Sequence, residues 1–200
     1  MAQQWRGPGR AEQHFAARGF DNVTVAEIAD AVNVAAKTVF VYFPTKEDLV
    51  FHGEDDVLRT LVDHIRHRPA GHTPLDAVVD MLRQTMNASP IGAVTELERL
   101  HRTIGDSAGL QARMRLMWER FEVAVAAELA EETGEQPYAP RPRIAAAQLV
   151  LIYRIMAAPD VMEHIRSQPK SRRRTAFSDW LNAAQDMTGR GINDYAKRED

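Results

Sequence analysis

TVAEIADAVNVAAKTVFVYFPTKEDLV, residues 24–50, decides the fold. Thr24 and Glu27 make a T-x-x-E capping box, in which hydroxyl and carboxylate each satisfy a free backbone N–H at a helix start. Val25, Ile28, Ala29 and Val32 then keep one apolar face at helical spacing. Asn33 falls where a tight inter-helix turn needs a positive φ, which asparagine tolerates better than most residues. A second short helix is expected from about Ala35 to Tyr42, with Val39 and Phe43 as inward anchors. Pro44 ends it, because proline disfavours helical backbone in the residue before it. Thr45 and Asp48 repeat the start signal, so a third helix is expected to open there at once and run to about residue 67. Two short helices joined by a three- or four-residue turn is the geometry that lays the second helix in the major groove of DNA.

The chain of 200 residues has room for one or two domains with a substantial core. Proline and glycine are sparse and clustered, and no run alternates β-branched residues, so the expected class is all-α. Cysteine is absent, which excludes a disulfide framework and cysteine zinc sites and suits the cytoplasm, the expected location. No apolar run reaches the roughly 18 residues of a membrane span, and Gln148 and Arg154 interrupt the longest, Ala145–Ala158. Net charge is −3. Residues 1–50 hold five basic side chains (Arg6, Arg10, Arg18, Lys37, Lys46) and six acidic ones (Glu12, Asp21, Glu27, Asp30, Glu47, Asp48). No basic footprint marks this segment, so DNA affinity would rest on a few placed cations, backbone N–H groups and helix N-termini.

Prolines divide the remainder into helical patterns. Residues 45–67 carry Leu49, Val50, Val57, Leu58, Leu61, Val62 and Ile65. Residues 75–88 carry Leu75, Val78, Val79, Leu82 and Met86, and a shorter segment at 92–104 carries Val94, Leu97, Leu100 and Ile104. Leu110, Met114, Met117, Trp118, Phe121, Val125 and Leu129 form the clearest stripe, with Gly134 as its stop. Glu135–Pro142 reads as a loop. Residues 144–158 are apolar nearly all round, and 177–188 form a last amphipathic helix before a polar, frayed tail from Gly189. At the other end, Gly7-Pro8-Gly9 does not fit inside a helix, so the first helix is expected to begin near Gly9 and to be short.

AEQHFAARGFDNVTVAEIADAVNVAAKTVFVYFPTKEDLV, residues 11–50, resembles the N-terminal domain of the TetR (tetracycline-repressor-like) family. The matching residues are Phe15, Gly19, Phe20, Thr24, Ile28, Ala29, Val34, Thr38, Tyr42, Phe43, Pro44, Lys46 and Leu49, without a gap. Beyond them the chain is similar to the family only in length and helical pattern. The resemblance implies a helix-turn-helix DNA-binding domain, residues 1–48, and a helical effector-binding and dimerisation domain, residues 49–200. It implies a homodimeric transcriptional regulator, most simply a repressor released from a palindromic operator by a small molecule. The alternative left open is a helical small-molecule-binding protein with weakened DNA binding, favoured by the non-basic head and the Gly-Pro-Gly start. Two departures from the family stand out: Phe40, where tyrosine is common, and Val41, where a polar residue often stands.

The expected DNA contacts are Ala35, Ala36, Lys37, Thr38, Val41 and Tyr42, with Thr24 and Lys46 as phosphate clamps. Lys37 can reach a guanine edge or a phosphate, Thr38 a phosphate or a thymine methyl, and Val41 only a thymine methyl. Lys46, in the first turn of its helix, is unfavourable there without a bound anion. The resemblance implies an effector pocket, and its expected wall is Leu61, Ile65, Met81, Met86, Leu97, His101, Met114, Met117, Trp118, Phe121 and Tyr153. Methionine adapts to irregular, largely apolar ligands, though each of these residues fits a plain core equally. His101, Arg102, Tyr153 and Arg154 are the polar groups that could orient a ligand. Arg154, inside an apolar helix, needs either an anionic ligand group or an internal partner such as Glu98, Glu119 or Glu122.

A helix apolar all round must be covered on two sides. In the TetR family the last two helices pair with those of a second subunit, so Leu149, Ile152, Phe177, Trp180, Leu181 and Ala184 are the expected dimer interface. A central helix wrapped by its own chain is the other solution. Asp63, His64, His67 and His72 lack a third ligand on one face, so no metal is expected. Lys170–Arg174 reads as a solvated loop and helix start. No nucleophile elbow, glycine-rich phosphate loop or HExxH motif is present, so neither a cofactor nor an enzyme is expected.

Overall fold

The computed structural model describes residues 7–88, 99–192 and 195–197. Their elements are α1 (Gly7–Arg18), α2 (Val25–Ala31), α3 (Ala36–Tyr42), a 3-10 turn (Glu47–Leu49), α4 (Glu54–Arg66), α5 (Pro74–Ala88), α6 (Ala108–Thr133), α7 (Pro140–Met156), α8 (Pro159–Ser167) and α9 (Arg173–Ile192). Residues 99–104 are also helical, and no strand occurs among the described residues. The fold is all-α, as expected. No single helix among the described residues is long and apolar enough to cross a membrane. The chain divides into two compact units, Met1–Asp55 with Glu98–Leu116, and Asp56–Leu97 with Met117–Asp200. The first unit thus extends past residue 48 and includes a second stretch of chain from far along the sequence.

In the first unit, Ala11, Phe15 and Phe20 are buried, with the two phenyl rings 5.0 Å apart. Gly19 closes α1 at φ +79°, its N–H donating to the Phe15 carbonyl at 2.8 Å. α1 begins at Gly7, two residues before the expected start. Gly7-Pro8-Gly9 occupies the first turn, where the missing proline N–H has no intrahelical partner to lose. α2 buries Val25, Ile28 and Ala29. Asn33 turns the chain at φ +57°, as its position predicts.

The third helix does not open at Thr45. The Thr45–Asp48 box forms, with Thr45 N–H donating to Asp48 Oδ2 at 3.0 Å and Asp48 N–H to Thr45 Oγ1 at 3.3 Å. It caps only the 3-10 turn, and α4 starts at Glu54 after a break at His52-Gly53. Glycine weakens helix propagation there, and Phe51 turns inward instead. Arg113 holds this segment: it pairs with Glu54 at 2.6 Å, donates to Asp48 at 3.2 Å and lies 5.2 Å from the Phe51 ring centroid.

The second unit packs Leu61, Ile65, Leu75, Val78, Phe121, Val125, Leu129, Leu149, Ile165 and Leu181. α7 begins at Pro140, inside the expected loop, because Pro140 and Pro142 sit in its first turn. α8 forms a separate helix on the inward faces of Val161, Met162 and Ile165. α9 runs past Gly189, which is buried with Ile192, so the helix extends three residues beyond the expected start of the tail. Arg68, with no exposed side-chain surface, joins this end of the chain to the rest. Its Nε donates to the His72 carbonyl at 3.1 Å. Nη1 donates to the Ile65 carbonyl at 2.6 Å and Glu132 at 2.9 Å, and Nη2 to Glu132 at 2.8 Å and the Ala196 carbonyl. All five guanidinium N–H groups thus find acceptors. Arg66 beside it grips Glu128, one turn before Glu132, through its Nε at 3.0 and 3.1 Å.

Candidate nucleic-acid interface

α3 is seven residues long and buries one side chain, Val39. At 3.6 residues per turn, the positions two before and two after Val39 point away from it. Those are Lys37 and Val41, which form an outward crest. Thr38 and Phe40 flank the crest, and Tyr42 closes the helix. Lys37 and Thr38 are exposed, and so are Phe40 (47%), Val41 (71%) and Tyr42 (57%). Ala36 is half-buried, and Ala35 stands at the N-cap without a side-chain cap. With one buried side chain and three large exposed apolar residues, α3 lies on the surface of its unit and is not core.

Thr24 and Lys46 do not stand free as phosphate clamps. The Lys46 ammonium donates to the carbonyls of Phe20 at 2.9 Å and Val23 at 3.1 Å, and sits 4.1 Å from the Phe20 ring centroid. Two carbonyl oxygens and an aromatic face supply the negative charge that a phosphate was expected to provide. The Thr24 hydroxyl donates to Glu27 Oε2 at 2.8 Å and accepts from the Glu27 N–H at 3.2 Å, so its proton is already committed to a carboxylate. Arg18 reaches the other Glu27 oxygen at 2.7 Å. The Thr24 backbone N–H, then Arg18, hold the Glu27 carboxyl down to about 2. Burial pushes Asp48 up, but the Thr45 hydroxyl and N–H and Arg113 outweigh it and hold its carboxyl below the usual range.

The expected pocket residues separate. Leu61, Ile65, Met81, Met86, Met117, Trp118 and Phe121 are buried in the second unit. Trp118 meets Phe121 edge-on at 5.5 Å and lies 5.8 Å from Tyr153, which is half-buried. His101 and Met114 are half-buried and belong to the first unit, so they do not line a pocket within the second. Leu97 and Glu98 lie outside the described residues. Arg102 and Arg154 are exposed. No burial cost arises at Arg154, and none calls for a partner. A groove of about 610 Å³ between α8 and α9 is lined by His164, Gln168, Arg172, Asp179 and Trp180, none of the expected wall.

The expected dimer interface is likewise divided. Leu149, Ile152, Phe177 and Leu181 are buried inside the subunit itself, so a partner could touch them only by unpacking the core. Trp180 is exposed and Ala184 half-buried. On α7 and α9 the large apolar residues left exposed are Ile144, Leu151 and Ile155, and Trp180 and Met187. The seven- and four-residue spacing of the α7 trio was a legible sign of one face. Arg113 and Arg18 carry no comparable sequence signal, because their partners are brought to them by folding. Asp63, His64, His67 and His72 form no cluster suited to a metal among the described residues.

The depressed Glu27 carboxyl has a pH consequence. Its stabilising effect is complete above the ordinary carboxylate value near 4.5 and fades as pH falls towards about 2. Glu27→Gln should therefore melt earlier than the wild type at pH 6, with the difference closing as pH is lowered through that window. Thermal denaturation followed by circular dichroism checks this, and a difference constant from pH 6 to pH 3 refutes it.

Residues 10–52 match the family model for bacterial regulatory proteins of the TetR family. The HTH-type transcriptional regulator TcmR of Streptomyces glaucescens is 28% identical over 125 residues, 60% of this chain and 55% of TcmR. The chain thus spans about half the length of the curated relative it matches. Among solved structures, a TetR-family transcriptional regulator from Mesorhizobium loti superposes with a TM-score of 0.51 at 17% identity, over 90% of this chain and 94% of that one. The transcriptional regulator FadR from Bacillus subtilis, solved with stearoyl-CoA, gives 0.51 at 16% identity, over 89% and 95%. At those identities the two structures speak for the fold alone. The matched head, residues 10–52, resembles the helix-turn-helix domain of TetR-family regulators, and the all-α architecture is similar to that of solved TetR-family proteins.

Proposed function

We propose that the protein acts as a dimer whose α3 helices enter the major groove of a palindromic operator, and that a largely apolar small molecule bound in the second unit releases it. Repression is the simplest outcome of such binding. The observation that carries the reading is the outer surface of α3, where Lys37, Phe40, Val41 and Tyr42 are exposed on a helix whose one buried side chain is Val39. A surface of that kind is costly in water and suited to base edges. The rival reading, a small-molecule binder with decayed DNA binding, predicts only weak, unselective association.

A duplex selected from a random library by the full-length protein tests this. Lys37→Ala should weaken binding to the selected duplex about tenfold and relax its base preference at one position, without lowering the slope of log affinity against log salt, the mark of a lost base-edge contact. Lys46→Met should leave that slope unchanged while lowering the melting temperature, because its ammonium is spent on Phe20 and Val23. Failure to enrich any duplex favours the rival.

For assembly, the uncovered strip of Ile144, Leu151, Ile155, Trp180 and Met187 is the proposed contact. Leu151→Glu should give a folded monomer by light scattering, since this position is solvent-facing within the subunit. A variant that stays dimeric removes the strip from the interface.

For the effector, two features support a site around Trp118. Trp118, Phe121 and Tyr153 lie together beside adaptable methionines, and FadR, of the same fold, was solved with an acyl-CoA. With stearoyl-CoA as the first probe, tryptophan emission should change on titration in the wild type and not in Trp118→Phe. Equal changes in both proteins would move the site elsewhere.

A further inference from the structure

On the reading that α3 enters the major groove, we propose that its crest recognises a pyrimidine C5-methyl group, with Val41 as the specificity-determining residue and Lys37 reading a purine edge about two base steps away. Each side chain of α3 has an assignable role. Val39 is spent inside the unit and Ala36 is half-buried. Thr38, on one flank, and Tyr42, at the helix end, carry hydroxyls suited to phosphate or sugar. That leaves the crest itself. Val41 is 71% exposed, more than any other large apolar residue described in the first unit, and carries no polar atom.

In the major groove a side chain made only of methyl groups has one feature to recognise, the methyl at C5 of thymine. Cytosine and uracil lack it, and 5-methylcytosine carries it at the same ring position. The chemistry recognised is therefore the C5-methyl group, whether thymine or a methylated cytosine supplies it. Lys37 lies four residues earlier on the same crest, about 6 Å along the helix at roughly 1.5 Å per residue. Base steps are about 3.4 Å, so the two side chains address positions about two steps apart. Lysine offers donors only, which selects the O6 and N7 acceptors of guanine. The exposed ring of Phe40 beside Val41 adds apolar cover against water at the methyl contact.

The test uses the full-length protein and the duplex it selects from a random library. Each thymine is replaced singly by deoxyuridine, which removes the methyl and leaves pairing intact. Binding should fall about fourfold, the worth of one buried methyl group, at one position and its symmetry mate, and stay unchanged elsewhere. At that position a 5-methylcytosine·guanine pair should bind about fourfold better than a cytosine·guanine pair. In Val41→Ala both differences should vanish, with circular dichroism unchanged because the position is solvent-facing. Selective binding that ignores every deoxyuridine, or a Val41→Ala protein that keeps the thymine preference, overturns the assignment while leaving DNA binding intact. If no duplex is enriched, the DNA-binding reading itself fails, and this inference with it.

Discussion

The Lys46 ammonium, held by the carbonyls of Phe20 and Val23 and the face of Phe20, fixes the geometry of the first unit. α3 cannot position itself. Seven residues with one buried side chain are far below the length at which a helix is stable alone. Its place is set at both ends by neighbours. Before it, Asn33 turns the chain out of α2, whose start is locked by Thr24, Glu27 and Arg18. After it, Pro44 and the Thr45–Asp48 turn bring the chain back, and Lys46 pins that return to the α1–α2 connection. A cation in the first turn after a proline stop is unfavourable in isolation. Here carbonyl oxygens of a different turn compensate it.

The same logic runs through the acidic side chains of this unit. Glu27 is matched by Arg18, Glu12 by Arg99, and Asp48 and Glu54 by Arg113, while Asp21 accepts from Ser107. Arg99, Ser107 and Arg113 come from a stretch far from the first fifty residues, so counting charge over residues 1–50 overstates the repulsion that DNA would meet. What remains outward on α3 is one lysine beside Thr38, Phe40, Val41 and Tyr42. Counterion release scales with the number of cations brought to phosphate. A surface with so few should depend less on salt and more on groove shape and methyl contacts than a basic head does.

How much of this was legible follows from the range of the interactions. Capping boxes, the positive φ of Asn33 and the stop at Pro44 are chemistry among neighbours, and each stands where its residues predict. The stripe from Leu110 to Leu129 is likewise local periodicity, and α6 follows it. The hold on Lys46 was not legible, because its helix position was readable and its acceptors, 23 and 26 residues away, were not. α7 misled differently. A helix apolar all round declares that two faces will be covered and not which face its own chain takes. Leu149 and Ile152 went inward and Ile144, Leu151 and Ile155 stayed out. α8 was missed although Pro159 at its start and the spacing of Val161, Met162 and Ile165 mark it, because it is too short for periodicity to stand out from the preceding apolar run.

Arg68 shows the limit from the other side. Its acceptors belong to residues 65, 72, 132 and 196, four places that only the folded unit brings together. An arginine with no exposed surface would be severely costly if any of these were missing, since a buried donor left unsatisfied costs about 1–3 kcal/mol and more when charged. The end of α4, the C-terminal end of α6 and the chain beyond α9 are therefore stable together or not at all. Any displacement within the second unit must carry this cluster as one piece. The freedom for such a shift lies instead among contacts that carry no charge and no obligatory hydrogen bond, such as the Trp118, Phe121 and Tyr153 rings, whose mutual packing can slide by small steps at little cost.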